Sequence, residues 1–548
     1  MSSASIERVA QRTAAWIDRY SEGLLLLGLT GAALLIFTLN LGTLPLRDWD
    51  EGTVAGVARE LYRLPLSQWL YPILHGEPYF NKPPLIHGLI ALSFRTFGVS
   101  EWAARLPGAL LGGLSVPLLY LVGRELWPGR LTALLGSTVY LASLPVVRHG
   151  RLAMLDGASV CFFLVMLLSL LRSRRQPYWS LGAGLGLSLM LLTKGALGLL
   201  LGGIGLGFMV WDSPRFLRSI YLWIGLLLGL LPAVGWYLLQ GLRYGSGFWM
   251  VHLFDQSLNR VWTAVEQNQG PPWFYLLELL KGDWPWLLFV PIGLRAAWRD
   301  RWRSWGKLLV LWTLGYLAVI SSMGTKLPWY VFPLYPVLSL LAGVELRRLW
   351  QTIGGYSAKL TPTYRYSLGI SLGLGLVAMV SWAGCVYFAM AGDSLLLALS
   401  LGIIGLTMSA ALWRLGQRDS LFVPLLIWGM YLSLLPFVAS PHWVWELAED
   451  YPVKPVAALI QAYVPPEAKV LTSHPNHRPS LDFYSDRRVV PAGNPQLRRQ
   501  WQRGAYLLLD EAARQRPWVN QSLVLDQVEG WSLLAPPPKI SSPPRLAP

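Results

Sequence analysis

Ten ionisable residues of this chain stand in or beside long apolar runs: Asp48, Asp50, Glu51, Lys82, Arg148, Arg151, Asp156, Lys194, Arg260 and Lys326. Charge is expensive next to lipid, so ionisable groups placed there are functional candidates by default. Acids alternate with bases in this set, which suits an anionic ligand held beside a carboxylate. In transfer chemistry a carboxylate takes the proton from an attacking hydroxyl, while cations stabilise a departing phosphate in a site kept dry. Each residue also has a structural role open to it. Asp50 and Glu51 begin a predicted helix over 50–63, where acids favour the helix dipole, and Asp156 is placed to cap a span. Lys82 can snorkel at an interface, and basic and aromatic residues such as Lys326 and Tyr330 are common there.

The elements that must position these residues are membrane helices. The chain has 548 residues, 53% hydrophobic and only 14% charged, against roughly 25% charged for a soluble domain. That composition excludes a soluble fold and a disordered one. Cys161 and Cys385 both lie in apolar runs, so neither a disulfide framework nor a cysteine metal site is expected. A bilayer core takes about 20 apolar residues per helix, and such runs fall near 24–41, 105–123, 131–147, 154–171, 178–193, 195–211 and 219–240. Further runs fall near 284–298, 308–323, 328–345, 367–391, 394–413 and 420–439, making thirteen predicted spans. Residues 84–98, shorter and carrying Arg95, read as a helix lying at the interface.

With the N-terminus inside, 21 of the 46 basic residues fall at the inner face, as the positive-inside rule requires. The net charge of +16 is therefore mostly an orientation signal rather than a nucleic-acid footprint. The candidate residues then gather at the outer face, around two long outer loops, 42–104 and 241–283. Residues 1–439 form the membrane module. Residues 440–548 lose the spanning pattern and read as a small outer α/β domain, with strands at Lys469–Thr472, Arg488–Val490, Ala505–Leu509 and Leu523–Val528, and a disordered Pro-rich tail from about 536.

Four segments, in order and with preserved spacing, carry a resemblance: RDWDEGTVAGVARELYR, EPYFNKPPLIHGL, RLAMLDGAS and GTKLPWYVFPLYP. Together they resemble the polyprenyl-phosphate-dependent glycosyltransferases of GT-C architecture, close to the lipid A aminoarabinose transferases and more distantly the protein O-mannosyltransferases. The resemblance covers about residues 20–350. It implies an all-α polytopic membrane fold with thirteen spans and an outer C-terminal domain. It also implies transfer of a sugar from a polyprenyl-phosphate donor to a hydroxyl of a lipid, glycan or protein acceptor, with inversion in one displacement. Asp50 is then the base, with Glu51 supporting it by orienting a group or binding a metal, and Asp156 is a second acid. Lys82 and Arg260 hold the donor phosphate, and Lys326, Tyr330 and Lys194 line the donor cavity. The sequence departs from the aminoarabinose-transferase pattern at Thr53, Val54, Asn81, Asp255 and Gln256.

No nucleotide, nucleic acid or further cofactor is expected; a divalent metal at Asp50 and Glu51 is compatible with the acidic pair but not demanded. The expected location is the inner (plasma) membrane, multi-pass, with the active site extracytoplasmic. A lipid or sugar transporter or flippase is the alternative, and it predicts charges near mid-span and related halves with broken helices.

Overall fold

The computed structural model describes residues 21–265, 268–353, 363–392, 394–444, 453–519 and 522–537. The tail from 538 onward lies outside the described residues. The apolar runs fold as helices because in lipid every backbone polar group must be satisfied within its own segment. Among the described residues, eight helices are long and apolar enough to cross a membrane, or nine if the bent pair Arg130–Leu141 and Leu144–Gly150 counts as one span. Three more expected spans form helices of 16 or 17 residues, Glu22–Thr38, Trp179–Lys194 and Ala196–Asp212. The expectation over 284–298 is corrected. Pro285 and Pro291 interrupt that run, leaving a 3-10 turn Trp286–Leu288 and a ten-residue helix Val290–Arg299. At 1.5 Å per residue that helix reaches about 15 Å, half a bilayer core.

The membrane helices approach closely where side chains are small, as association within lipid favours. A Cβ on Gly229 of helix Ile220–Tyr244 would lie 2.4 Å from the backbone nitrogen of Leu185, so these two helices cross backbone to backbone. The pair Arg130–Leu141 and Leu144–Gly150 bends by 61°. Its break is satisfied from outside: Ser143 donates to Asp283 at 2.7 Å, and the Trp286 indole N–H donates to the Ala142 carbonyl at 3.2 Å.

Two helices of the first long loop, 42–104, carry the site's framework. Asp50–Arg63 occurs over the residues predicted for it and buries Val54, Ala55, Ala58 and Leu61. Leu85–Phe97, the expected interfacial helix, buries Ile86, Ile90 and Phe94 and packs against Asp50–Arg63 and Glu101–Leu126. Between them runs a minimal hairpin, β1 (Ile73–Leu74) and β2 (Glu77–Pro78).

The C-terminal region forms a five-stranded sheet of β3 (Val470–Thr472), β4 (Val489–Pro491), β5 (Tyr506–Asp510), β6 (Val524–Val528) and β7 (Trp531–Leu534), in the order β4-β3-β5-β7-β6. β3 runs parallel to β4 and β5, whereas β7 runs antiparallel to β5 and β6. Along β5, Leu508 joins one apolar cluster and Leu507 and Leu509 another. That two-residue alternation means both faces of the sheet are covered.

Candidate active site

The first functional feature is a turn. Trp49 adopts φ +62°, ψ −75° immediately before helix Asp50–Arg63, a conformation bulky residues rarely take. It is clamped from several sides. Asp48 accepts from the Ser480 backbone N–H at 3.0 Å, and also from the Arg478 guanidinium and the Ser480 hydroxyl. Gly52 lies so close to helix Pro479–Ser485 that a Cβ there would stand 2.5 Å from the Ser480 nitrogen. The C-terminal region thus grips the turn that presents Asp50.

Asp50 and Glu51 have opposite surroundings. Glu51 is fully buried, and both its oxygens are occupied: Arg105 donates through Nε and Nη2 at 2.8 Å each, the Ala153 N–H at 2.7 Å and the Arg47 N–H at 2.9 Å. A carboxylate offers about four lone-pair sites, so Glu51 is saturated. Despite its burial, these bonds hold its carboxyl below the usual carboxylate range. Its oxygens are thus taken up by donors of the protein itself. Asp50 faces the cavity with Arg47 Nη2 at 3.7 Å. Burial raises its carboxyl above the ordinary value, with repulsion from Asp156 adding to this against Arg47 and Lys194.

Asp156, the first residue of helix Asp156–Ser173, is held by the Lys194 ammonium on one oxygen and has His149 Nε2 3.6 Å from the other. Arg148 and Arg151 do not pair with it. Arg151 donates to the carbonyls of Ile36 and Leu39 and lies over the Trp443 ring at 4.5 Å, and Arg148 donates to the Trp443 carbonyl at 3.2 Å.

Lys82 and Arg260 form the basic wall. Lys82 has no ion-pair partner among the described residues; burial, then the nearby Arg260 and Lys194, pull its ammonium down to about 7. Arg260, just after the π-helix Met250–Leu258, donates to Tyr330 Oη at 3.3 Å and Gln256 Oε1 at 2.9 Å. Both partners are uncharged side chains, and among the described residues Arg260 forms no ion pair.

Asp50, Lys82, Asp156, Lys194, Arg260 and Tyr330 all line one cavity of about 540 Å³. So do Thr53, Val54, Asn81 and Gln256, four of the positions where the sequence departs from the aminoarabinose-transferase pattern. Lys326 departs from expectation: its ammonium donates to the carbonyls of Ile320 and Ser321, the C-terminal end of helix Tyr316–Ser322. Unpaired carbonyls at a helix end attract a cation, and its neighbours Thr325 and Leu327 line the cavity instead.

Sequence reasoning missed five contributors. Arg47 stands within the RDWDE segment and its significance was legible there. Arg105 is an arginine inside an apolar span, itself a signal. His149 adjoins an arginine in a helix too short to stand out, and the cavity-lining His477 and Asp482 lie some 430 residues from Asp50 in the chain, with nothing local to mark them.

The family described as dolichyl-phosphate-mannose-protein mannosyltransferase matches residues 81–238. An undecaprenyl phosphate-alpha-4-amino-4-deoxy-L-arabinose arabinosyl transferase of Pseudomonas aeruginosa is 30% identical over 395 residues, 70% of each chain. One from Pseudomonas fluorescens is 29% identical over 363 residues, and the match spans 64% of that relative's length. The fold is that of the crystal structure of ArnT from Cupriavidus metallidurans bound to undecaprenyl phosphate, with a TM-score of 0.76 at 20% identity, covering 96% of this chain and 100% of that one. The archaeal oligosaccharyltransferase AglB from Archaeoglobus fulgidus is more distant, with a TM-score of 0.54. By the extent of its similarity to the P. aeruginosa enzyme, the chain belongs to the undecaprenyl-phosphate aminoarabinose transferase family of membrane glycosyltransferases.

Proposed function

We propose that this protein transfers a sugar from a polyprenyl-phosphate donor to a hydroxyl of a lipid, glycan or protein acceptor at the extracytoplasmic face, by a single inverting displacement. The observation that carries this reading is one cavity shared by a carboxylate and two cations that form no ion pair among the described residues: Asp50, Lys82 and Arg260. Lys82 and Arg260 hold the donor phosphate. Asp50, whose raised proton affinity suits a base, takes the proton as the acceptor oxygen bonds to the anomeric carbon. The bond from that carbon to the phosphate oxygen breaks with its electron pair, and the two cations stabilise the released polyprenyl phosphate. Asp156 is not assigned the proton, since the Lys194 ammonium already pairs with its carboxylate. It aims Lys194 into the cavity. The excess of basic residues at the opposite membrane face supports an outward-facing site.

The test is reconstitution of the purified chain with polyprenyl-phosphate sugars and membrane acceptors. Release of polyprenyl phosphate with glycosylated acceptor supports the reading. Equal release by D50N, or donor sugar crossing the bilayer without transfer, overturns it.

A further inference from the structure

Beside the transfer machinery, three metal-ligating side chains converge at the cavity wall. His75 Nε2 lies 3.0 Å from Asp482 Oδ2, and His477 Nε2 lies 2.8 Å from the same oxygen. One ligand atom from each can be drawn within 4.8 Å of the others. In a tetrahedral zinc site, with metal–ligand bonds of 2.0–2.2 Å, neighbouring ligand atoms stand about 3.3 Å apart. The two histidine–carboxylate separations are thus within about half an ångström of that spacing, and the two imidazole nitrogens stay within 4.8 Å of each other. Two imidazoles and one carboxylate are a donor set that zinc-type ions favour.

The surroundings are those of a held site rather than a chance encounter. Asp482 is buried, and its second oxygen accepts the Val489 N–H at 3.0 Å, the kind of outer bond that orients a ligating carboxylate. His75 and Gly76 form the two-residue turn between the paired Leu74 and Glu77, both with positive φ, +54° and +78°. Such turns ordinarily place Asn or Asp before the glycine; a histidine in that left-handed position directs an imidazole at the C-terminal region. The adjacent arginines are engaged elsewhere, Arg59 with Asp486 and Arg478 with Asp48. Both histidines are partly exposed, and all three residues line the cavity, so a fourth coordination position opens toward it.

We propose that His75, His477 and Asp482 bind one divalent zinc-type ion that pins the first outer loop to the C-terminal region at the rim of the cavity. The ion holds the two parts that together enclose Asp50, because His477 also meets the Trp49 ring edge-on at 6.4 Å. The site shares no ligand with the groups assigned to sugar transfer, and it stands whether or not that assignment holds.

The test uses the full chain in detergent with its affinity tag removed, stripped by chelator and titrated with zinc, with bound metal measured by mass spectrometry. About one zinc per chain is expected, together with a rise in melting temperature that magnesium does not reproduce. H75A, H477A and D482N should each weaken zinc binding at least tenfold, whereas D50N should retain it. Cobalt loading of the wild type should give the intense visible absorption of a four-coordinate site, which needs no variant to fold. Less than about 0.2 zinc per chain in the wild type, or undiminished binding in both H75A and H477A, overturns the proposal.

Discussion

The knot around Glu51 and the wall formed by Lys82 and Arg260 both concentrate charge, and they differ in how that charge is satisfied. Arg105 makes five hydrogen bonds, two to Glu51 and three to the carbonyls of Leu41, Leu44 and Pro45. Both Glu51 and Arg105 are fully buried. The hydrogen-bonding groups of that knot are all engaged, so it fixes the first long loop onto the membrane helices. Across the cavity, among the described residues, Lys82 has no ion-pair partner and Arg260 hydrogen-bonds only to Tyr330 and Gln256. Buried charge without a counter-charge is costly, and it is tolerable where an anionic ligand supplies the missing half. Saturated charge holds the framework here, and under the proposed function unsaturated charge binds the donor.

The sharpest way to break this distinction is to change the two adjacent acids separately. D50N should lower transfer by about 10² to 10⁴, the range for a lost general base, with a melting temperature close to that of the wild type. E51Q keeps the shape but removes the negative charge facing buried Arg105. Breaking a buried pair by removing one partner costs about 3–5 kcal/mol, so E51Q should appear as a large fall in melting temperature or in the yield of folded protein. If E51Q were stable and D50N unfolded, the division of labour would be reversed. On the opposite wall, K82A and R260A should each weaken binding of undecaprenyl phosphate by roughly 10- to 100-fold, the worth of a charged hydrogen bond. Isothermal titration in detergent would read this directly, and neither variant should shift the melting temperature much, since neither residue holds an acid in place.

Much of this arrangement is legible in sequence, and the part that is not has a common cause. Helix Asp50–Arg63 can be predicted because its acids mark its start and its apolar residues recur at helical spacing. The strands β3 to β6 can be found from short apolar runs between turn residues. β7 is missed because it follows β6 through Glu529-Gly530, both at positive φ, and a Glu-Gly pair is a weak hairpin signal beside Asn-Gly or Asp-Gly. Six of the eight expected site residues line one cavity, because each lies in one of the two long loops or where a span meets them, and topology brings these to one face. Lys326 does not, since a side chain free to turn toward the last carbonyls of its own preceding helix leaves no trace in residue spacing. The clamp of Asp48 by Arg478 and Ser480 spans some 430 residues. No local pattern encodes a contact that only tertiary packing creates.

The smallest expected effect is the most specific to the unsaturated wall. Lys82 is pulled down to about 7 by burial and by the repulsion of Arg260 and Lys194. Below that pH the free protein already carries the ammonium and binds a phosphate without proton exchange. Above it the lysine is neutral, and binding an anion must first draw a proton from solvent. Affinity for undecaprenyl phosphate should therefore fall as pH rises through 7, approaching tenfold per unit on the alkaline side. K82R should flatten the profile, because a guanidinium stays charged throughout. A flat wild-type profile between pH 6 and 8.5 would mean that Lys82 has a counter-charge in the membrane-bound protein, and the contrast with the Glu51 knot would then rest on Arg260 alone.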